Sequence, residues 1–157
     1  MTSHVHRLDH VSLRTIDITR SLEFYVGVLG MTIRAQGVID DGGSEALTAQ
    51  HSIPFADLDL GDGQTVELLQ LKTTESNEPA DRPWPGRAHL SLVTLDVHAA
   101  HHAITRAGAP ASGQPTVITE PGFWNRCIVF YTRDPDGHTI ELIERPADTK
   151  PAADQFR

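Results

Sequence analysis

"DGQTVELLQ" at residues 62–70 and "DGHTIELIE" at residues 136–144 decide the fold of this chain. Each begins with an Asp-Gly turn signal and continues as a short apolar strand with a glutamate in its middle, Glu67 or Glu141. A second matching pair lies upstream, "HVSLRTIDI" at 10–18 and "HLSLVTLDV" at 89–97. The copies are separated by nearly the same distance in both pairs, so the sequence predicts a duplicated module.

Both halves show the same order of predicted elements. A strand leads to a helix that begins near Asp17 or Thr19 in the first half and near Asp96 in the second, because these side chains can cap a helix. The helices are predicted to end at Gly30 and Gly108. The apolar face of the first helix is predicted to consist of Leu22, Tyr25, Val26 and Leu29. The predicted strands are 8–15, 31–36, 55–60 and 65–71, then 88–94, 116–120, 126–132 and 139–144.

The predicted fold class is α+β, with two βαβββ modules whose mixed sheet curves round a metal cleft. The chain is expected to form a single domain, 1–157, built from halves at about 7–71 and 87–145. Residues 72–86 are expected to be a linker and residues 146–157 a loose tail. The cleft can form within one chain or across a dimer, and we expect a homodimer.

Composition excludes several classes of partner. The formal net charge is −8, so binding to nucleic acid or to an anionic membrane is not expected. The chain has no apolar run of membrane-spanning length and its first residues do not resemble a signal peptide, so a cytoplasmic location is expected. Cys127 is the only cysteine, so any metal must be held by histidines and carboxylates.

Four side chains are predicted to share one face of the sheet. Strand side chains alternate between faces, and the apolar neighbours of the repeated histidines and glutamates all have the opposite parity. A glutamate on an apolar strand costs several kcal/mol unless it is paired, protonated or bound to a cation. Two imidazoles and two carboxylates would suit Ni, Co, Zn, Fe or Mn. The predicted ligands are His10, Glu67, His89 and Glu141.

A simpler interpretation exists for each of these residues taken alone. Each glutamate can be a solvent-facing strand residue and each histidine a packed one. The recurrence of both residue types on matching faces of both halves favours the metal site.

The sequence resembles the vicinal oxygen chelate superfamily, which includes lactoylglutathione lyase, methylmalonyl-CoA epimerase, extradiol dioxygenases and bleomycin resistance proteins. The resemblance rests on "LDHVSL", "SLEFYVGVLGM", "GRAHLSL" and "RDPDGHTIELIE", and it covers nearly the whole chain. The family's metal ligands fall on the same four positions. Members with this quartet resemble lyases or epimerases, whereas in the dioxygenases only the positions of His10, His89 and Glu141 bind metal.

The resemblance implies a divalent-metal-dependent lyase or isomerase that acts on a small substrate with vicinal oxygens. Such an ion would stabilise an enediolate-type intermediate. Glu67 or Glu141 is the expected catalytic base, with a slight preference for Glu141. The alternatives are an extradiol-type dioxygenase and a drug-binding resistance protein without turnover.

Two segments differ from the glutathione-using lyases and argue against a glutathione conjugate, 37–54 and 122–131. The first is a candidate lid. In the second, Phe123 and Trp124 are candidates to line an apolar substrate, with Asn125 or Arg126 binding a polar group, although core packing of these aromatic rings is an equal alternative.

The remaining motifs predict structure only. His98, His101 and His102 include an i, i+4 pair but are expected on a solvated helix face. Cys127 is expected to pack in the core.

Overall fold

A computed structural model describes residues 4–5, 7–40, 52–61, 63–72 and 88–147 of the chain. It divides into two compact units, Met1–Ala80 and Asp81–Arg157. The predicted linker lies outside the described residues except at residue 72, and so does the predicted tail beyond residue 147.

The first unit contains one helical segment and a four-stranded mixed sheet. Strand β1 (His10–Thr15) leads to helix α1 (Ile18–Leu22), and the chain continues as a π-helix over Glu23–Val28. Strands β2 (Thr32–Asp40), β3 (Ser52–Asp59) and β4 (Thr65–Gln70) follow. The sheet order is β1-β4-β3-β2, with β1 parallel to β4 and the other pairs antiparallel.

The second unit repeats this plan. Strand β5 (Leu90–Val93) leads to helix α2 (Val97–Arg106), which is followed by β6 (Thr116–Val117), β7 (Ile128–Arg133) and β8 (Thr139–Glu144). The sheet order is β5-β8-β7-β6, and the parallel and antiparallel pairs occur in the same places. The predicted fold class, two βαβββ modules with mixed sheets, is confirmed.

Both helices begin as predicted, and each is capped twice. The Asp17 carboxylate accepts hydrogen bonds from the Thr19 and Arg20 amides in the first turn of α1, and the Asp96 carboxylate accepts one from the Ala99 amide in the first turn of α2. The last strand of each module adds a second acceptor. Gln70 accepts from the first amide of α1 at 2.9 Å, and Glu144 accepts from the first amide of α2 at 2.8 Å. These bonds attach each helix to the face of its sheet opposite the candidate site.

A hydrophobic core lies beneath each helix. Tyr25 and Leu58 are fully buried in the first unit, and Ile104 and Ile140 are fully buried in the second. Cys127 is also fully buried with a free thiol, as predicted.

Three element predictions were wrong in detail. The first helix is π-helical after residue 22, and Phe24 and Tyr25 are both in the core, whereas the predicted apolar face contains Tyr25 but not Phe24. Strand β6 has two residues instead of the predicted five. Strand β2 extends to Asp40 and strand β3 begins at Ser52, so both ends of the candidate lid are regular sheet. Residues 41–51 of the candidate lid lie outside the described residues.

His101 was also placed wrongly by the sequence. It is buried, its Nε2 lies 3.1 Å from the Gly113 carbonyl oxygen, and its ring meets the edge of Phe130 at 5.2 Å. The reason is helical spacing, because residue 101 follows Val97 by four and precedes Ile104 by three, which places it on the buried face. His98 and His102 are exposed, as predicted.

None of the helices within the described ranges is long and apolar enough to cross a bilayer.

Candidate metal-binding site

The strand register places a histidine and a glutamate on one face of each sheet. In the first unit Ser12 pairs with Glu67, and His10, two residues before Ser12, therefore lies on the same face. The opposite face of β4 carries Val66 and Leu68, which are 2% and 1% exposed and pack in the core. The predicted parity is correct, and the histidines and glutamates point away from the core.

In the first unit the histidine is held and the glutamate is not. His10 Nε2 lies 3.7 Å from Glu67 Oε2, and His10 Nδ1 lies 3.0 Å from the Asp9 carboxylate. This contact with Asp9, chiefly its hydrogen bond, raises the pKa of His10 and lowers the pKa of Asp9. Among the described residues, Glu67 makes no other hydrogen bond or ion pair. Asp57 is the cross-strand neighbour of Glu67, and its carboxylate donates no hydrogen bond to Glu67.

In the second unit the glutamate is held on both oxygens. His89 Nε2 lies 3.6 Å from Glu141 Oε2, which also accepts a hydrogen bond of 2.5 Å from Ser91 Oγ. The Tyr131 hydroxyl donates to Glu141 Oε1. This hydrogen bond, with burial and the negative charge of Glu141, raises the pKa of Tyr131 to about 12. The His89 and Tyr131 rings meet edge to face, with centroids 6.0 Å apart.

Each His–Glu pair offers one imidazole nitrogen and one carboxylate oxygen, which are ligand atoms that a first-row metal ion binds. Two ligand atoms bound to one first-row ion at about 2.1 Å lie roughly 3.0–3.4 Å apart. The observed N–O distances of 3.7 and 3.6 Å are slightly wider and too long for a hydrogen bond, so small side-chain rotations would suffice. The contact of His10 Nδ1 with Asp9 leaves Nε2 facing Glu67, as is common for histidine ligands.

Within the described part of the chain, no group of three or more His, Cys, Asp or Glu side chains has the spacing of a metal site. Each module by itself thus contributes a pair.

The predicted substrate residues lie in the turn between β6 and β7. Phe123 and Trp124 are 53% and 48% exposed, so the alternative that they are core aromatic residues is wrong. Asn125 and Arg126 are exposed as well, and Arg126 has a positive φ of 66° while its amide donates to Ile118. Whether the four residues contact a substrate stays a prediction.

Three polar residues beside the site were missed by the sequence reasoning. Ser91 was visible in the repeat, since Ser12 is its counterpart, but no hydroxyl role was assigned to it. Tyr131 becomes a neighbour of Glu141 only through the β7–β8 register. Asp9 directly precedes His10, and a carboxylate beside a histidine was the available signal.

A further His–carboxylate pair, in the "DPDGH" turn, has a structural role. Asp134 is 5% exposed, and its Oδ1 accepts from the amides of Asp136 and His138. Its Oδ2 lies 2.9 Å from His138 Nδ1, a contact that raises the pKa of His138. Asp134 therefore shapes the turn that leads into β8 and towards Glu141.

The chain belongs to the Glyoxalase/Bleomycin resistance protein/Dioxygenase superfamily, which it matches over residues 7–142. This confirms the resemblance seen in the motifs. It is 31% identical over 148 residues to a lactoylglutathione lyase of Escherichia coli O157:H7, covering 88% of this chain and 92% of that protein. It is 27% identical over 141 residues to a probable lactoylglutathione lyase of Vibrio cholerae, covering 88% and 91%.

The fold is also similar to that of solved structures. A glyoxalase/dioxygenase structure from Nostoc punctiforme superposes with a TM-score of 0.66 at 20% identity, covering 93% of this chain and 99% of that one.

Proposed function

We propose that this protein is a divalent-metal-dependent lyase or isomerase acting on a small substrate with vicinal oxygens. The observation that carries the proposal is the repeated His–Glu pair, with N–O distances of 3.7 and 3.6 Å on the face opposite each core. The similarity to lactoylglutathione lyases supports the reaction class. A cytoplasmic location and a homodimer are parts of the same proposal.

The proposed ligands are His10, Glu67, His89 and Glu141, which together would hold one Ni, Co, Zn, Fe or Mn ion. A bound ion of this kind supplies Lewis acidity that stabilises the negative charge of an enediolate. Hydrogen bonds within each module orient one of its two proposed ligands. Asp9 orients the His10 ring, and Ser91 and Tyr131 orient the Glu141 carboxylate.

The proton must be removed from one carbon and returned to its neighbour, and Glu67 and Glu141 are the proposed bases. The sequence slightly favours Glu141. The contacts add an argument for Glu67, because it can rotate toward a substrate without breaking a hydrogen bond, whereas Glu141 would have to break two. In this proposal Glu67 removes the proton from one carbon and delivers it to the neighbouring carbon, while Glu141 keeps its hydrogen bonds to Ser91 and Tyr131.

The test is metal content together with two assays, on wild type, Glu67→Gln and the exposed control Glu23→Gln. We expect about one ion per chain in wild type and the control, less in Glu67→Gln, and turnover of a 2-oxoaldehyde thiol adduct. Full metal retention by Glu67→Gln together with oxygen uptake on a catechol would establish the dioxygenase alternative instead. Failure of wild type to retain any divalent ion would favour the non-catalytic binding protein.

A further inference from the structure

Two exposed aromatic rings and an arginine form a cluster at one end of the second sheet. The Phe123 and Trp124 rings meet edge to face with centroids 4.8 Å apart. The Arg145 guanidinium carbon lies 4.8 Å from the first centroid and 4.7 Å from the second. Both rings lie within cation–π distance of the guanidinium and, because they are nearly perpendicular to each other, the planar group can lie flat on at most one of them.

The polar groups of this cluster have no partner within the described chain. Arg145 makes no ion pair or hydrogen bond there, and its contacts are the two rings. The indole N–H of Trp124 and the side-chain amide of Asn125 likewise make no hydrogen bond with any described residue. A cation with several unused donors beside it is suited to bind an oxyanion.

The cluster lies on the side of the sheet that carries Glu141. The Glu144 carboxylate reaches the first amide of α2, so even-numbered residues at the end of β8 face the helix. Arg145, the next residue, therefore points the opposite way, as Glu141 does. Four residues of extended chain separate Arg145 from Glu141 by about 13 Å.

An apolar row lies between these two polar ends. Val93 and Val129 both pair with Ile143, which stands between Glu141 and Arg145 on the same face of β8. Val93 is 65% exposed and Val129 is half-buried, whereas Ile143 between them is only 2% exposed. The row is therefore apolar and is accessible at its two outer residues. The order along the face is a carboxylate, an apolar row, and a stacked arginine.

We propose that Arg145 binds a carboxylate of the substrate, whose apolar body lies over Val93 and Val129 beside the two aromatic rings. The substrate's vicinal oxygens then lie about 13 Å away at Glu141, which implies a substrate carrying a carboxylate at the end opposite its reacting carbons. This assignment of substrate class rests on the proposed function. Arg145 is a specificity-determining residue, because a guanidinium fork matches a carboxylate and an uncharged end group leaves it unpaired.

The test measures the anion subsite alone, in protein freed of metal by EDTA. Trp84→Phe leaves Trp124 as the single tryptophan, whose fluorescence reports binding of 3-phenylpropionate. We expect saturable quenching with a dissociation constant on the order of 1 mM, typical of a ligand this small. Binding should weaken roughly 10-fold or more in Arg145→Gln, which removes a charged hydrogen-bond pair. The matched control Arg106→Gln removes an arginine at the end of α2 and should bind as wild type does.

Two ligands keep the proposal falsifiable if Arg145→Gln misfolds. The amide 3-phenylpropionamide should bind wild type at least about 10-fold more weakly than the acid, since it has nearly the same shape but no charge and only one acceptor oxygen. Equal binding of acid and amide, or unchanged binding in a folded Arg145→Gln variant, would overturn the proposal. Tighter Arg145-dependent binding of phenyl phosphate than of the acid would replace carboxylate by phosphate. Because the protein is free of metal in this test, the results can be interpreted even if the four proposed ligands bind no ion.

Discussion

The two modules share a backbone plan but hold their His–Glu pairs in opposite ways. In the second module Glu141 is fixed by Ser91 and Tyr131, and no described carboxylate holds the far side of the His89 ring. In the first module the histidine has its own carboxylate, Asp9, while no described hydroxyl donates a hydrogen bond to Glu67. One module thus presents a fixed carboxylate and the other a fixed imidazole.

The register shows how one duplicated position can acquire two roles. Glu67 faces Asp57 across the strand pair at the place where Glu141 faces Tyr131. An acid at that position cannot donate a hydrogen bond when ionised, whereas a phenol can. The residue type on the third strand therefore decides whether the glutamate has a phenol donor. The other difference is that Ser12, the counterpart of Ser91, pairs with Glu67 without donating to it.

The largest effect should come from removing the two carboxylates one at a time. Glu67→Gln and Glu141→Gln should each lower kcat/KM by about 10³-fold, because each variant loses a proposed metal ligand and Glu67→Gln also loses the proposed base. Only Glu141→Gln should also lose stability, by about 1–2 kcal/mol, since the amide keeps one oxygen, so that one of the Ser91 and Tyr131 hydroxyls loses its acceptor and the other donates to a neutral one. Steady-state kinetics and urea unfolding measure the two quantities. Equal stability of the variants would contradict the asymmetry of the modules.

The turns before the last strands differ as well. Asp134→Ala should lower the free energy of unfolding by about 2–3 kcal/mol, because it removes a buried carboxylate that accepts from two amides and the His138 ring. Asp59→Ala, which removes the aspartate at the start of the corresponding turn in the first module, should cost only about 0.5–1 kcal/mol, since that side chain accepts one exposed amide at 2.8 Å. Thermal or urea unfolding compares them, and a larger loss in Asp59→Ala would invert the expected order.

Removing the hydroxyl of Tyr131 should make the second module resemble the first. Tyr131→Phe frees one oxygen of Glu141 and should weaken metal binding about 10-fold, the low end for loss of a residue that orients a ligand. Asp57→Asn changes the corresponding position of the first module and should not weaken binding, because Asp57 donates nothing to Glu67. Competition with a chromogenic chelator measures both affinities. Unchanged affinity in Tyr131→Phe would remove Tyr131 from the site.

The smallest effect concerns pH. "DGHT" in the second module corresponds to "DGQT" in the first, so His138→Gln converts one turn into the other. Asp134 raises the pKa of His138 in the folded state, so this histidine stabilises the fold fully below its ordinary pKa of 6.5. That stabilisation, about 1 kcal/mol for a hydrogen bond of this kind, should disappear as pH rises through the raised folded-state value. Urea unfolding at pH 5.5 and pH 9 should show the variant's deficit only at the lower pH.

Much of the candidate site could be predicted because the two halves of the duplicated sequence can be aligned with each other. His10 with Glu67 and His89 with Glu141 stand at matching positions of matching strands, and strand alternation then fixes their face. The burial of His101 was predictable too, since its spacing from Val97 and Ile104 was in the sequence, and it was misassigned. The π-helical segment was not, because its i→i+5 pattern, as in the 3.0 Å bond from the Leu29 amide to the Phe24 carbonyl, carries no sequence signal of its own.

The sequence by itself determined the repeat, the βαβββ order, the helix caps at Asp17 and Asp96, and the identity of the paired histidines and glutamates. These depend on local spacing and side-chain chemistry, which the linear order of residues records. The tertiary structure alone decided that Tyr131 holds Glu141 while Asp57 faces Glu67, and that Arg145 stacks on Phe123 and Trp124. Those contacts join residues on different strands and loops, so they depend on register and on the direction of each side chain once the sheet has formed.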